Sequence, residues 1–188
     1  MSERMPPLPS EAMSEEQRSA AAELSAGPRG GVRGPFIALL RSPELMRRLQ
    51  KVGEYLRYQS ALERRLGEFA MLIVARRLTQ QFEWQMHYPL AIEAGLAKET
   101  ADALAHGARP GAMREDEATV YDFCSELLHV HGVAEETYQK AAARLGERGI
   151  VDLVGLVGYF ITVSLVMSVA HTPAAQQRGV VPLEPFPS

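Results

Sequence analysis

Glu83 and His87 stand four residues apart in the stretch Gln80-Gln81-Phe82-Glu83-Trp84-Gln85-Met86-His87-Tyr88-Pro89. On a helix that spacing places a carboxylate and an imidazole on one face, a turn apart. Pro89 lies inside the same pattern; it removes the backbone bond to the Gln85 carbonyl and is expected to bend the helix beside the pair. A third ionisable group, Glu68, opens the most apolar stretch of the chain, Phe69 to Ala75. Burial there would raise the carboxyl pKa and make Glu68 a usable proton carrier near neutral pH. Glu68 lies 11 residues before Thr79 and His87 eight after it, so a tight hairpin at Thr79 would bring the three groups together. Two carboxylates and an imidazole in one place suit proton transfer. The same residues in water would be a surface Glu–His contact and a solvated helix edge.

The elements that must position these groups read as helices. Ser14, followed by Glu15, Glu16 and Gln17, predicts a helix start closed by a capping box. Gly27-Pro28-Arg29-Gly30-Gly31-Val32-Arg33-Gly34-Pro35 is a loop whose arginines can reach a site. Ser42-Pro43-Glu44 predicts a cap and a proline at the first helical position, opening a helix to about Tyr58. A helix over 62–78 follows, then one over 80–94, capped by Thr79 and stopped by Gly95 with Leu96 in contact. Further helices are expected at 97–106, 113–130, 134–145 and 148–170. No window alternates apolar and polar residues as a strand would. The expected fold class is all-α: a bundle of eight or so helices. One helical domain at 13–172 lies between a flexible N-terminal arm at 1–12 and an extended tail at 173–188, which carries Pro173, Pro182, Pro185 and Pro187.

The charge-free run Leu153 to Ala170 is 18 residues long, enough for a membrane span. Gly155, Gly158, Thr162, Ser164 and Ser168 interrupt it, and the expectation is a central helix buried on all sides of a soluble bundle. With 20 Lys plus Arg against 23 Asp plus Glu, the 188-residue chain has a formal net charge of -3 and no basic stripe, which speaks against nucleic acid as a partner. One cysteine, Cys124, excludes an internal disulfide and is expected in the core. The start has no basic segment followed by an apolar run, so a cytoplasmic location is expected. The glycines at 27–34 follow no strand and lack the lysine of a nucleotide loop. His106, His129, His131 and His171 are scattered, and Glu83 and His87 have Glu-x-x-x-His rather than Glu-x-x-His spacing, so no metal is expected.

The pieces RRLGEFAMLIVAR and FEWQMHYPLAIEAGL resemble the carboxymuconolactone decarboxylase family, which includes the alkylhydroperoxidase-D-like proteins. GVRGPFIALLRSPEL, TVYDFCSELL and GIVDLVGLVGYF look like the same family outside its core, so the resemblance spans about 25–170. It implies an alkylhydroperoxidase-D-like helical bundle. The family's redox members carry two cysteines three apart, a histidine four after the second and a glutamate twelve before the first. Here those positions are Gln80, Glu83, His87 and Glu68. Without the cysteine pair a thiol peroxidase is not expected. The resemblance then implies the decarboxylase branch: a cofactor-free lyase acting on a carboxylated lactone or related oxo acid. His87 would donate to an oxyanion or pass a proton, and Glu68 or Glu83 would orient it or protonate carbon. Arg33 or Arg64 would clamp the substrate carboxylate, with Trp84 and Tyr88 as candidate pocket walls. A homo-oligomer, trimer or hexamer, is implied, with no membrane partner. A related isomerase or lactone hydrolase, or a non-catalytic oligomer with a decayed site, is the alternative.

Overall fold

The computed structural model describes residues 2–186; Met1 of the arm and Pro187 and Ser188 of the tail lie outside them. Among the described residues there are helices and no strand. In chain order they are α1 (Glu15–Ala26), α2 (Pro35–Leu39), α3 (Pro43–Tyr58), α4 (Arg64–Arg77), α5 (Gln81–Glu93), α6 (Lys98–Ala105), α7 (Glu115–Val130) and α8 (Glu135–Ala170). α8 is two helical segments joined at Gly146, whose φ of 68° breaks the helical backbone.

Local chemistry sets most of these limits. Ser14 Oγ accepts from the Gln17 amide at 3.2 Å and the Gln17 side chain accepts from the Ser14 amide at 2.9 Å, a closed capping box. Pro43 opens α3, but the Ser42 side chain makes no capping bond there. Thr79 does not cap α5 as expected. It adopts a left-handed φ of 49° and ends α4, with the Gln80 amide donating to the Ala75 carbonyl at 2.8 Å. Gln80 is the cap instead, its side-chain oxygen accepting from the Phe82 amide at 3.0 Å. At the far end Gly95, φ 98°, closes α5, and the Leu96 amide donates back to Ala91 at 2.9 Å.

The centre of the bundle is α4, not the run 153–170. Every residue of α4 from Arg65 to Arg76 is buried, against α5, α7 and α8. The apolar half of α8 presents Leu153, Leu156, Phe160 and Val163 to that core. Its other side is open: Val154, Leu165 and Val169 are 42%, 53% and 57% exposed. The small or hydroxylated residues Gly155, Gly158, Thr162 and Ser168 are exposed beside these apolar side chains. By length and composition α8 is still apolar enough to cross a membrane, with 56% of its most apolar window buried.

Two charges are built into α4 itself. Arg65 is buried and donates to Glu117 at 2.5 Å and Asp116 at 2.6 Å, tying α4 to the start of α7. Burial opposes its charge, but these hydrogen bonds more than offset this and hold the guanidinium firmly protonated. Arg76, at the other end, is held by the tail. Its Nη1 donates to the Glu184 carbonyl at 2.7 Å and its Nη2 to that of Pro185 at 3.1 Å. The tail is also gripped by Gln81, which pairs with both backbone groups of Leu183 at 2.6 and 3.0 Å. The Trp84 indole donates to the Val181 carbonyl at 3.2 Å. The N-terminal arm, expected to be flexible, contacts the end of α8 through the Arg4 amide and the Ala170 carbonyl at 2.8 Å.

Candidate functional site

α5 packs against α4, with the tail over Gln81 and Trp84 and the loop 27–34 against Phe82, so most of its side chains are buried or half-buried. One of its faces carries Glu83, Met86, His87 and Leu90 to a cavity of about 200 Å³. Arg29 and Arg33 of the loop, Phe36 of α2, Arg57 and Tyr58 of α3 and Tyr159 and Phe160 of α8 complete its wall. The loop approaches α5 closely: Gly34, φ 54°, faces the Phe82 ring so tightly that a Cβ there would overlap it.

Glu68, Glu83 and His87 meet in one buried chain. His87 Nδ1 lies 2.6 Å from Glu68 Oε2, and His87 Nε2 lies 3.2 Å from Glu83 Oε2. All three side chains are buried, and the imidazole edge meets the Phe160 ring at 5.1 Å. Burial disfavours the imidazolium, but the bonds to Glu68 and then Glu83 outweigh it, so the His87 pKa is raised. Only Glu83 and His87 line the cavity; Glu68 stands behind the imidazole, from α4. The cavity opens between α5 and the α2–α3–α8 side, rather than between two consecutive helices.

The sequence-derived substrate residues divide. Arg33 lines the cavity and is exposed. Arg64 does not: it points into solvent and pairs with Glu93 at 3.4 Å. Trp84 and Tyr88 are also outside the cavity. They lie on the opposite face of α5, in tilted contact at 5.6 Å, with the Tyr88 hydroxyl donating to Asp102 at 2.5 Å. Both faces of α5 are apolar enough to be buried, so its sequence does not tell which one looks at the cavity.

Arg29, Arg57 and Tyr159 are the wall residues that the candidate set missed. Arg29 Nη2 donates to the Tyr159 hydroxyl at 3.5 Å and the guanidinium lies 4.6 Å over the Phe36 ring. Arg57 stacks on Tyr58 at 5.1 Å. The Nε of each is buried without a hydrogen-bond partner, and among the described residues neither makes an ion pair. Burial raises the Tyr159 pKa, so its hydroxyl remains a donor. Gly53 makes this cluster possible: a Cβ there would overlap the Tyr159 hydroxyl and the Arg29 guanidinium. A gap facing a tyrosine on a helix 100 residues away leaves no local pattern in the chain, so only the loop arginines gave a signal.

Gln80 and Cys124 have plain structural roles. Gln80 Nε2 donates to the Ser164 carbonyl and the Ser168 hydroxyl, both at 3.2 Å, fastening α5 to α8. Cys124 is fully buried, and burial pushes its thiol up to about 12. Among the described residues no set of three or more His, Cys, Asp or Glu side chains is arranged to hold a metal. Both nitrogens of His87 are already taken by carboxylates.

Residues 43–120 match the family model of the carboxymuconolactone decarboxylase family. Among solved structures, the chain is similar to one described as an alkylhydroperoxidase AhpD core, an uncharacterized peroxidase-related protein from Ralstonia eutropha JMP134. The two agree with a TM-score of 0.74 over 93% of each chain, at 14% identity. No curated protein sequence matches. The chain thus has the alkylhydroperoxidase-D-like all-α fold, and its middle segment, 43–120, is similar to the carboxymuconolactone decarboxylase family. The chain has one cysteine, Cys124, and so carries that fold without a cysteine pair.

Proposed function

We propose that the protein is a cofactor-free lyase that removes carbon dioxide from a carboxylated lactone or related oxo acid by proton transfer. The observation that carries this reading is the buried Glu68–His87–Glu83 chain, ending in a cavity whose arginines lack carboxylate partners. Unpaired guanidinium groups suit an anionic substrate, bidentate on a carboxylate or enolate. When the C–C bond to the leaving carboxylate breaks, its electron pair stays on the ring as a dienolate. Arg29, Arg57 and the Tyr159 hydroxyl stabilise that charge. Glu83, at the cavity wall, delivers a proton to carbon; His87 replenishes it, and Glu68 holds the imidazole in place. The balance is one carboxylate and one proton in, one C–H bond and one carbon dioxide out.

The test is turnover of purified protein with carboxylated lactones and oxo acids, read as carbon dioxide release and loss of ultraviolet absorbance. A panel with no turnover, and no binding of any carboxylated member, would leave the decarboxylase reading without support and favour a decayed site. Peroxide reduction is expected to be absent, because the buried Cys124 thiol lies far above neutrality and has no resolving partner. Dithiol-dependent turnover of an organic hydroperoxide, above a no-enzyme control, would contradict this.

The reading includes a soluble, cytoplasmic homo-oligomer. The exposed positions 151, 154, 158, 162, 165 and 169 on α8 repeat at three and four residues, the spacing of a helix-packing seam. A second copy of the chain is the proposed cover. Detergent-free protein at micromolar concentration should sediment well above 20.7 kDa, and Leu165→Glu should shift it to the monomer. A wild-type monomer, or partition into membranes that survives alkaline washing, would refute it.

A further inference from the structure

A second cavity shares no lining residue with the one at His87. Its volume is about 230 Å³, its apolar walls are Ile73, Leu104, Tyr121 and Leu128, and Phe186 of the tail forms one side. Arg76, Arg77 and His129 also line it, and no Asp or Glu does. The proton-transfer chemistry makes no use of it.

Arg76 is the unusual member. It is 2% exposed and among the described residues has no carboxylate partner. Two tail carbonyls take its terminal nitrogens, but its Nε is buried with no acceptor. The Phe186 ring covers the Arg76 and Arg77 guanidiniums at 4.8 and 4.9 Å. A buried cation held by neutral carbonyls and a ring face is under-compensated, because desolvation costs more than these partners return. An arginine in that state is matched by an anion that can take its free Nε edge.

We propose that this cavity is a binding site for an apolar carboxylate. The ring or short chain lies between Leu104, Tyr121 and Leu128, and the carboxylate lies on the Nε edge of Arg76 and on Arg77, where Phe186 now stands. Size supports one ring: an engineered cavity of about 150 Å³ accommodates benzene, and about 230 Å³ leaves room for a carboxymethyl group. Phe186 is then a side chain that must move aside, a competitor for the same two cations.

Calorimetric titration of the full chain with phenylacetate tests this. The His87 cavity also offers arginines, so the Arg57→Gln protein is titrated alongside the wild type to separate the two sites. Phenylacetate is expected to saturate one site in the Arg57→Gln protein. Ser125→Phe, which fills the second cavity from a partly buried position on α7, should weaken that binding at least about tenfold, as should Arg77→Ala. Phe186→Ala should tighten it. Benzyl alcohol, with the ring but no charge, and acetate, with the charge but no ring, should each bind at least about tenfold more weakly than phenylacetate. Affinity unchanged by both Ser125→Phe and Arg77→Ala would overturn the site. Benzyl alcohol binding as tightly as phenylacetate would overturn the carboxylate, and absence of saturable binding to the Arg57→Gln protein would overturn the whole proposal. None of these outcomes depends on turnover at His87.

Discussion

Replacing His87 with glutamine is expected to lower turnover by about 10²–10⁴-fold, the range of a positioned acid–base group. Glutamine keeps a hydrogen bond to one carboxylate but cannot pass a proton to Glu83. Glu83→Gln should fall by a similar factor, because its carboxyl is the one at the cavity wall. A pH signature accompanies the loss. The folded-state pKa of His87 lies above its unfolded value of about 6.5. Protonated His87 therefore contributes stability that is complete below about pH 6.5 and is lost as pH rises through the raised folded value. The wild-type melting temperature should decline over that alkaline window, and the His87→Gln protein should lack that component. Full turnover in the folded His87→Gln protein would remove His87 from the mechanism.

Arg65→Met is expected to destabilise the fold by about 3–5 kcal/mol, because it leaves the carboxylate of Glu117 buried without its cation. For a chain of this size that is a fall of roughly 6–20 °C in melting temperature. The adjacent Arg64→Ala should change stability by less than about 1 kcal/mol, since its pair with Glu93 is solvent-exposed. Joining Arg65→Met to Glu117→Leu should recover much of the loss by removing both charges together. Asp116, whose carboxyl the Arg65 hydrogen bond holds below the usual range, adds an acid limb. Its contribution is present above about pH 3.9 and is lost as pH falls through the depressed value. Chemical denaturation checks all three proteins; a loss under about 1 kcal/mol in Arg65→Met would show that the network is not a structural anchor.

The contrast between Arg64 and Arg65 also shows where sequence reasoning ends. Helix α4 is apolar on every side, so an arginine at its start can as well point inward to α7 as outward to water. The partners that decide, Asp116 and Glu117, lie about 50 residues on. The Glu68–His87 meeting was legible because both residues count back from one tight hairpin, which fixes helix phase on either side. Trp84 and Tyr88 were misplaced because α5 is covered on both faces, and periodicity cannot rank two buried sides. The central helix was assigned to 153–170 on hydropathy alone. The structure gives that place to α4, since its ionisable residues find partners inside the fold while the small residues of α8 leave one side open. The fold class needed only the absence of strand-like alternation and the helix stops, and these are local properties.

The chain has one tryptophan, and its indole N–H is tied to the tail at Val181. Intrinsic emission excited at the red edge therefore comes from a single fluorophore, seated on the face of α5 that looks away from His87. A tail that lifts exposes this indole to water and shifts its emission to longer wavelength. Substrate arriving on the other face of the helix leaves that contact in place. The molecule thus carries an optical gauge of tail attachment that needs no label.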